Sequence, residues 1–236
     1  MSGRIRGRIE LLRLAAITIA GHRFWLMPLL PLLWLLFQAG IIVLGLEDGF
    51  EPQSAQGALI GFPLTLLALF LGLRIIAGEI DGRSLEITYT VPGGCIRVWY
   101  AKLTASLLIL LTAEALLASL AWIFFTPFPT MALYGAFQAA AFYLVLSMAM
   151  ATLFRSEAAG AMTTVAILAF NGLITGFGDN QVRISPSWNP YALDNADPAE
   201  VFAWTLQNRV GVALAIAGIL ARALMRANRR ERMLGG

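Results

Sequence analysis

One carboxyl group lies where chemistry inside a membrane would need it. Glu114 is near the middle of a long apolar run at 103–125, and an acid at that depth is costly enough to indicate a function. It could contact a polar cargo, carry a proton or take part in gating. The alternative is a protonated carboxyl group hydrogen-bonded to a neighbouring helix, with burial favouring the neutral form. The sequence leaves both interpretations open.

Residues for catalysis, metal binding or ATP binding are scarce. His22 is the only histidine and Cys95 the only cysteine, so an H-E-x-x-H zinc motif, a Cys-rich zinc site and an internal disulfide framework are excluded. A phosphate-binding loop needs G-x-x-x-x-G-K followed by Ser or Thr, but the only lysine, Lys102, follows no glycine-rich loop. We therefore predict a chain that is not an enzyme, hydrolyses no ATP itself and holds no metal or cofactor.

A polar stretch, GEIDGRSLEITYTVPGGCIRVWYAK (78–102), separates two strongly apolar runs. Ser84 is a capping residue ahead of Leu85, and Pro92 with two following glycines ends the helix that begins there. The pattern predicts a helix, a break and a second helix. Its apolar residues make it unsuited to a free loop, while each of its charges would cost roughly 3 kcal/mol at the bilayer centre. We expect it at the cytoplasmic membrane surface, as a structural elbow or a docking surface.

The chain as a whole is apolar: 58% of its residues are hydrophobic, 13% are charged, and its mean hydropathy is +0.74. Soluble domains are about half apolar and about a quarter charged, so an all-α integral membrane protein is predicted. A spanning helix needs roughly 20 mostly apolar residues. The sixth candidate is the weakest, because Gln207, Asn208 and Arg209 interrupt it. The predicted spans are 24–46, 57–77, 103–125, 131–154, 158–178 and 203–225.

Arginine and lysine residues are concentrated on one side of these spans. They precede the first span, occupy the polar stretch and follow the sixth span, whereas 47–56 and 126–130 carry none and 179–200 carries only Arg183. The positive-inside rule therefore places both termini and the polar stretch in the cytoplasm. We predict an integral protein of the plasma membrane, which is the inner membrane in a bacterium. Its parts are a cytoplasmic segment at 1–23, a six-helix domain at 24–225 with an external segment at 179–200, and a basic cytoplasmic tail at 226–236.

The first 23 residues are predicted to form an amphipathic helix on the inner leaflet. Apolar residues recur there at helical spacing, and the arginines lie off that stripe. A cleavable signal peptide does not fit, because the apolar run that follows is too long. A basic flank that only sets the orientation is the alternative. The stripe consists of Ile5, Ile9, Leu12, Ala16 and Ile19, with Arg4, Arg8 and Arg13 beside it.

Small and polar residues inside the spans indicate where helices contact each other. Two small-residue patterns would allow close approach of helices, within one bundle or between two chains, and they are Gly57 with Gly61 and Gly172 with Gly176. Three polar residues are predicted to form hydrogen bonds between helices rather than to bind a ligand, and they are Gln38, Gln138 and Asn171.

The polar stretch also resembles the cytoplasmic signature of ATP-binding cassette type 2 permeases. In that family the segment between spans two and three is a coupling helix, which seats in a cleft of the ATPase subunit and passes its movement to the membrane domain. Here Arg83 separates Gly82 from the small hydroxyl residue, which usually follows the glycine directly in the family. The stretch SPSWNPYAL (185–193) resembles the family's Pro-rich external segment. The positions that carry the resemblance are Glu79, Asp81, Gly82, Arg83, Ser84, Leu85, Glu86, Pro92 and Lys102.

This resemblance implies the permease subunit of an ATP-driven exporter with an amphipathic or lipid-like cargo. ATP and Mg would be bound by a separate ATPase subunit, and a second permease chain, identical or different, would complete a dimer. An accessory protein could dock on the external segment. A permease similar to the haem exporters of cytochrome c maturation, or a six-span scaffold or channel without an ATPase, is the alternative. Nucleic acid is not an expected partner, since the basic residues flank apolar runs and suit anionic lipid headgroups.

Overall fold

A computed structural model describes residues 2–82, 85–90, 94–176, 183–193 and 197–229. Those ranges contain no β-strand, and helices account for most of them. Short 3₁₀ helices cover Phe24–Leu29, Pro52–Ser54 and Pro190–Ala192, and a π-helix covers Ala55–Gly61. The α-helices are α1 (Ser2–Ala20), α2 (Leu32–Val43), α3 (Phe62–Asp81), α4 (Leu85–Thr90), α5 (Cys95–Phe124), α6 (Met131–Phe154), α7 (Glu157–Gly176) and α8 (Pro198–Ala227).

The prediction of an all-helical chain with six spans is confirmed in the described part of the sequence. Six helical segments there are long and apolar enough to cross a membrane, including the weak sixth candidate, which is one continuous helix. The third span begins at Cys95 rather than at 103, so α3 and α5 together take up much of the predicted polar stretch. The six segments are Phe24–Val43, Pro52–Asp81, Cys95–Phe124, Met131–Phe154, Glu157–Ile174 and Pro198–Ala227.

Helix α3 lies at the centre of the bundle and packs closely on α6. A Cβ atom added to Gly72 would overlap the Ser147 side chain and the Leu144 carbonyl, so the two backbones approach each other where glycine leaves room. Of the most apolar stretch of Pro52–Asp81, 78% is buried, against 11% for Glu157–Ile174 and 17% for Pro198–Ala227. The apolar outer faces of α7 and α8 are therefore available to lipid or to another chain.

The turn between α6 and α7 is very short. Arg155 ends α6 in the left-handed conformation, with φ of 56°, and α7 begins two residues later at Glu157. A Cβ atom on Gly160 would come within 2.5 Å of the Ala151 Cα. The small residues at this crossing keep α7 tight against the end of α6.

The predicted N-terminal helix is present as α1, but its apolar stripe is divided between two environments. Ala15, Ala16 and Ile19 are buried in the core shared with α5, whereas Ile9 is 61% exposed. The last turns of α1 therefore pack on protein, and Ile9 belongs to the part of the helix that this packing leaves exposed.

Candidate functional site

The most unusual polar contact is a buried ion pair between α3 and α5, at the end of the bundle that carries α4. The Lys102 Nζ lies 2.7 Å from the Glu79 Oε1, and the two side chains are only 5% and 8% exposed. Lys102 also donates to the Ile75 carbonyl at 3.3 Å, and the Trp99 Nε1 donates to the Glu79 Oε2 at 3.3 Å. Both charges thus have partners that offset the cost of their removal from water.

Helix α4 is attached to its neighbours by its inner side. The Tyr89 hydroxyl donates a hydrogen bond of 2.5 Å to the Ala227 carbonyl at the end of α8. The Tyr89 ring packs edge-on against Trp99, with the ring centroids 6.2 Å apart. Leu85 is only 4% exposed and belongs to the core. Next to it, the Cys95 Sγ donates to the Asn228 Oδ1 at 3.5 Å. A displacement of α4 would therefore be felt by both α5 and α8.

The start of helix α7 contacts the last turn of α3, at the same end of the bundle as α4. The Asp81 carboxylate accepts a hydrogen bond from the Glu157 backbone N–H at 3.0 Å, which satisfies a free donor at the start of α7. The Arg74 Nε lies 3.8 Å from the Glu157 Oε1. We call Glu79, Asp81, Tyr89, Trp99 and Lys102 the α4 junction.

The residues predicted to couple to an ATPase fall into three groups. Glu79 and Leu85 point inward, so they hold the junction together and are not available to a soluble partner. Asp81, Gly82 and Glu86 are exposed. Arg83, Ser84 and Pro92 lie outside the described residues.

Two members of the α4 junction and one residue beside it were not singled out from the sequence as site residues. Tyr89, Trp99 and Asn228 contact one another's elements across long sequence separations, which a pattern of neighbours does not encode. The available signal was the three aromatic residues of the polar stretch, Tyr89, Trp99 and Tyr100, since an indole or phenol needs both apolar packing and a hydrogen-bond partner.

Glu114 lies apart from the α4 junction, 12 residues after Lys102 in α5 and therefore about 18 Å further along the helix. Its side chain is only 6% exposed. Its Oε1 has no hydrogen-bond partner among the residues that the structure describes. A buried carboxyl oxygen in that state destabilises the fold, and both the functional and the structural interpretation of Glu114 stay predictions.

The opposite end of the bundle, which we call the loop end, is held together by side-chain amides. The Asn208 Nδ2 donates to the carbonyls of Arg183 and Ser185 at 2.8 Å each. Gln138 and Arg209 exchange two hydrogen bonds at 2.7 and 3.1 Å, which confirms Gln138 as a contact between helices. Two of the three polar residues that weaken the sixth span in the sequence, Asn208 and Arg209, thus attach α8 to the 183–193 segment and to α6.

The glycine patterns behave differently from one another. Gly61 faces α6, with the Ala136 Cβ 3.8 Å from an added Cβ, but a Cβ on Gly57 or Gly172 would meet nothing within 4 Å. Within this chain, Gly57 and Gly172 therefore border open space instead of packing helices together. Gly176 is the last residue of α7. The tight crossings at Gly72 and Gly160 were not predicted, because neither belongs to a G-x-x-x-G pattern.

Comparison with known proteins adds no family assignment. No protein-family model, no curated protein and no solved structure matches the chain. Across the ranges that the structure describes, no group of three or more histidine, cysteine, aspartate or glutamate side chains is placed to hold a metal ion.

Proposed function

We propose that this chain is the membrane-spanning permease subunit of an ATP-driven exporter of the ATP-binding cassette class. The observation that carries the proposal is α4, a short helix between the second and third spans. Its inner side is fixed by Leu85 and Tyr89, while Glu86 in its first turn is exposed. A surface helix attached to several spans is what a soluble motor needs in order to move a membrane domain.

In this proposal, closure of two ATPase subunits on ATP and Mg pushes α4, and the α4 junction distributes the push. Tyr89 passes it to α8 through the Ala227 carbonyl, and Trp99 passes it to α5. The Glu79–Lys102 pair keeps α3 and α5 moving together. Two permease chains, identical or different, then rearrange in the plasma membrane, with both termini cytoplasmic, and release an amphipathic or lipid-like cargo outward.

The test is to recover the tagged chain from native membranes in mild detergent and to identify its stoichiometric partners by mass spectrometry. We expect an ATP-binding cassette subunit to accompany the parent chain. Glu86→Arg should abolish this association, because it reverses a charge on the exposed side of α4. Glu10→Arg is the matched control, since Glu10 is an exposed acid on α1 and its reversal should leave the association intact.

Two outcomes would contradict the proposal. One is repeated recovery of the chain without any nucleotide-binding subunit, under conditions in which a known transporter complex from the same membranes survives the detergent. The other is an association that persists in Glu86→Arg. Either result would favour a six-span scaffold in which α4 is a structural elbow. Leu85→Asp is a poorer test, because Leu85 is buried and the change would also disturb packing.

A further inference from the structure

A cavity of about 720 Å³ lies at the loop end, between α2, the π-helix, α3, α6 and α7. Most of its wall is apolar, and small residues such as Gly57, Ala139 and Gly172 create the space. No lining residue among those described is ionisable. At about 30 Å³ per water-sized volume, the cavity has room for roughly two dozen non-hydrogen atoms. This is the size of a lipid with a single acyl chain.

One polar atom in the wall, the Gln56 Oε1, lacks a hydrogen-bond partner among the described residues. Gln56 is only 4% exposed, and its Nε2 donates to the Trp188 carbonyl at 2.7 Å. That bond fixes the amide, because the opposite orientation would place two oxygens against each other. The Gln56 Oε1 then has no hydrogen-bond partner in the described ranges. A buried acceptor without a donor is costly, so a ligand that supplies the donor would gain binding energy.

The Gln56 amide lies in a tightly packed place. A Cβ atom on Gly135 would lie 2.5 Å from the Gln56 Cδ and 2.6 Å from the Arg209 Nη2. The Arg209 Nη1 donates to Gln138 and its guanidinium faces the Tyr134 ring, and no described side chain, Arg209 included, donates to the Gln56 Oε1. Gln56 also lies in a seven-residue π-helix, a rare backbone form that is common at functional sites.

We propose that this cavity binds a neutral amphiphile that has a hydroxyl or amide donor on its head and a slender apolar chain. The head donates to the Gln56 Oε1. The chain lies against Trp34, whose indole is held by a 2.7 Å hydrogen bond to the Ala58 carbonyl, and against Leu66 and Val165. A cationic head is disfavoured, because no described lining residue is acidic, and a neutral head needs no counter-charge from the wall. That this ligand is the exported cargo rests on the proposed function, whereas its binding does not.

The experiment uses the full chain in phosphatidylcholine nanodiscs and a 1-monoacylglycerol probe with a photoreactive diazirine in its acyl chain. Adducts are mapped by mass spectrometry with and without excess 1-monooleoylglycerol. We expect competed adducts on peptides that contain Trp34 and Val165. The dimethyl ether of 1-monooleoylglycerol, which has no donor, should compete about tenfold less well.

Three variants locate the site. Gln56→Leu should lower the competed labelling about tenfold, because it removes the acceptor. Gly172→Phe should abolish the competed labelling by filling the cavity. Because this variant leaves Gln56 unchanged, it still tests the site if Gln56→Leu fails to fold. Gln53→Leu is the matched control and should label like the parent, since the Gln53 amide donates to Glu51 outside the cavity.

The inference is overturned if 1-monooleoylglycerol does not reduce the labelling, or if adducts are spread equally over outward residues such as Phe202. It is also overturned if both Gln56→Leu and Gly172→Phe label like the parent, or if the dimethyl ether competes equally. Competed labelling in a chain that recovers no ATPase subunit would reject the cargo role and the proposed function but keep the site. Recovery of the ATPase without competed labelling would reject the site alone.

Discussion

Glu79 and Lys102 are two charges that the fold removes from water and then supplies with partners. The contribution of this ion pair to the free energy of unfolding depends on both charges being present. Removing one leaves the other buried and unpaired, which is far more destabilising than replacing both by apolar side chains. The α4 junction therefore tolerates the loss of the pair better than the loss of either member.

Lys102→Met should lower the free energy of unfolding by about 3 kcal/mol, because it leaves the Glu79 carboxylate buried without its cation. The double variant Glu79→Leu with Lys102→Met should recover most of that loss. Tryptophan-fluorescence melting of the purified chain in detergent measures both effects. Arg97→Met removes an exposed cation from the same helix and should change little. A double variant as unstable as Lys102→Met would show that the pair is not the source of the effect.

Glu114 presents the reverse case, a buried oxygen without a partner in the described structure. Glu114→Leu should raise the free energy of unfolding by about 1 kcal/mol, because it removes an unsatisfied group. Melting measurements compare it with Glu114→Gln, which keeps a polar group and should gain less. A less stable Glu114→Leu would mean that the carboxyl group finds a partner in the membrane or in a second chain. Unchanged transport by Glu114→Gln would exclude the hypothesis that transport requires a charge or a proton carrier at this position.

At the scale of the helices, α4 is short, yet it is linked to α5 by Trp99 and to α8 by the Ala227 carbonyl. A six-residue helix is not stable alone in water. Its shape therefore comes from these tertiary contacts. In the proposed permease, docking would use the exposed side of α4 and transmission would use its buried side.

Tyr89→Phe separates these two tasks. It keeps the ring against Trp99 but removes the hydroxyl that donates to the Ala227 carbonyl. ATPase association should stay normal, since the outer side of α4 is unchanged, while ATP-dependent transport should fall by about fivefold from the loss of one hydrogen bond. Co-purification and vesicle transport are measured side by side. Tyr100→Phe alters an exposed phenol in α5 and serves as the control. Full transport by the Tyr89→Phe variant would show that the movement of α4 is not transmitted through α8.

At the scale of the whole molecule, the bundle has two chemically distinct ends. The α4 end is held by a charged junction and carries much of the basic charge, and the loop end is held by amides that bind backbone carbonyls. The distribution of basic residues predicts that the α4 end is cytoplasmic. Transmission and ligand binding would then occur on opposite sides of the membrane.

The orientation can be measured with single cysteines in a Cys95→Ala background. In intact spheroplasts, a membrane-impermeant maleimide should label Glu200→Cys, at the start of α8, and should not label Glu10→Cys in α1. After the membrane is opened, both should react, which shows that both sites are exposed. Labelling of Glu10→Cys alone in intact cells would reverse the topology and would exclude α4 from contact with a cytoplasmic ATPase.

The sequence predicted those features that depend on long local patterns. Six spans follow from hydropathy, and a helix that begins at Leu85 was also expected. Capping by Ser84 and the break at Pro92 stay predictions, since both residues lie outside the described ranges. The sequence did not predict that Glu79 and Leu85 face inward, because that depends on the crossing of α3, α4 and α5. The Glu79–Lys102 contact joins residues 23 positions apart. The sequence did not predict the Gln56 cavity either, because its wall comes from four separate helical segments. Gly57 and Gly172 were predicted as packing positions, because a glycine that borders a cavity has the same sequence pattern as a glycine at a helix crossing.

The burial of Lys102 has a consequence for chemical labelling of the protein. It is the only lysine in the sequence, and it is 4% exposed. An activated ester acylates an amine only when it can reach the nitrogen, and burial of Lys102 against Glu79 between α3 and α5 prevents that access. Acylation of this single side chain would therefore proceed only in molecules whose α3 and α5 have parted. The rate at which the acylated Lys102 peptide appears would measure how fast the α4 junction opens, without any engineered label.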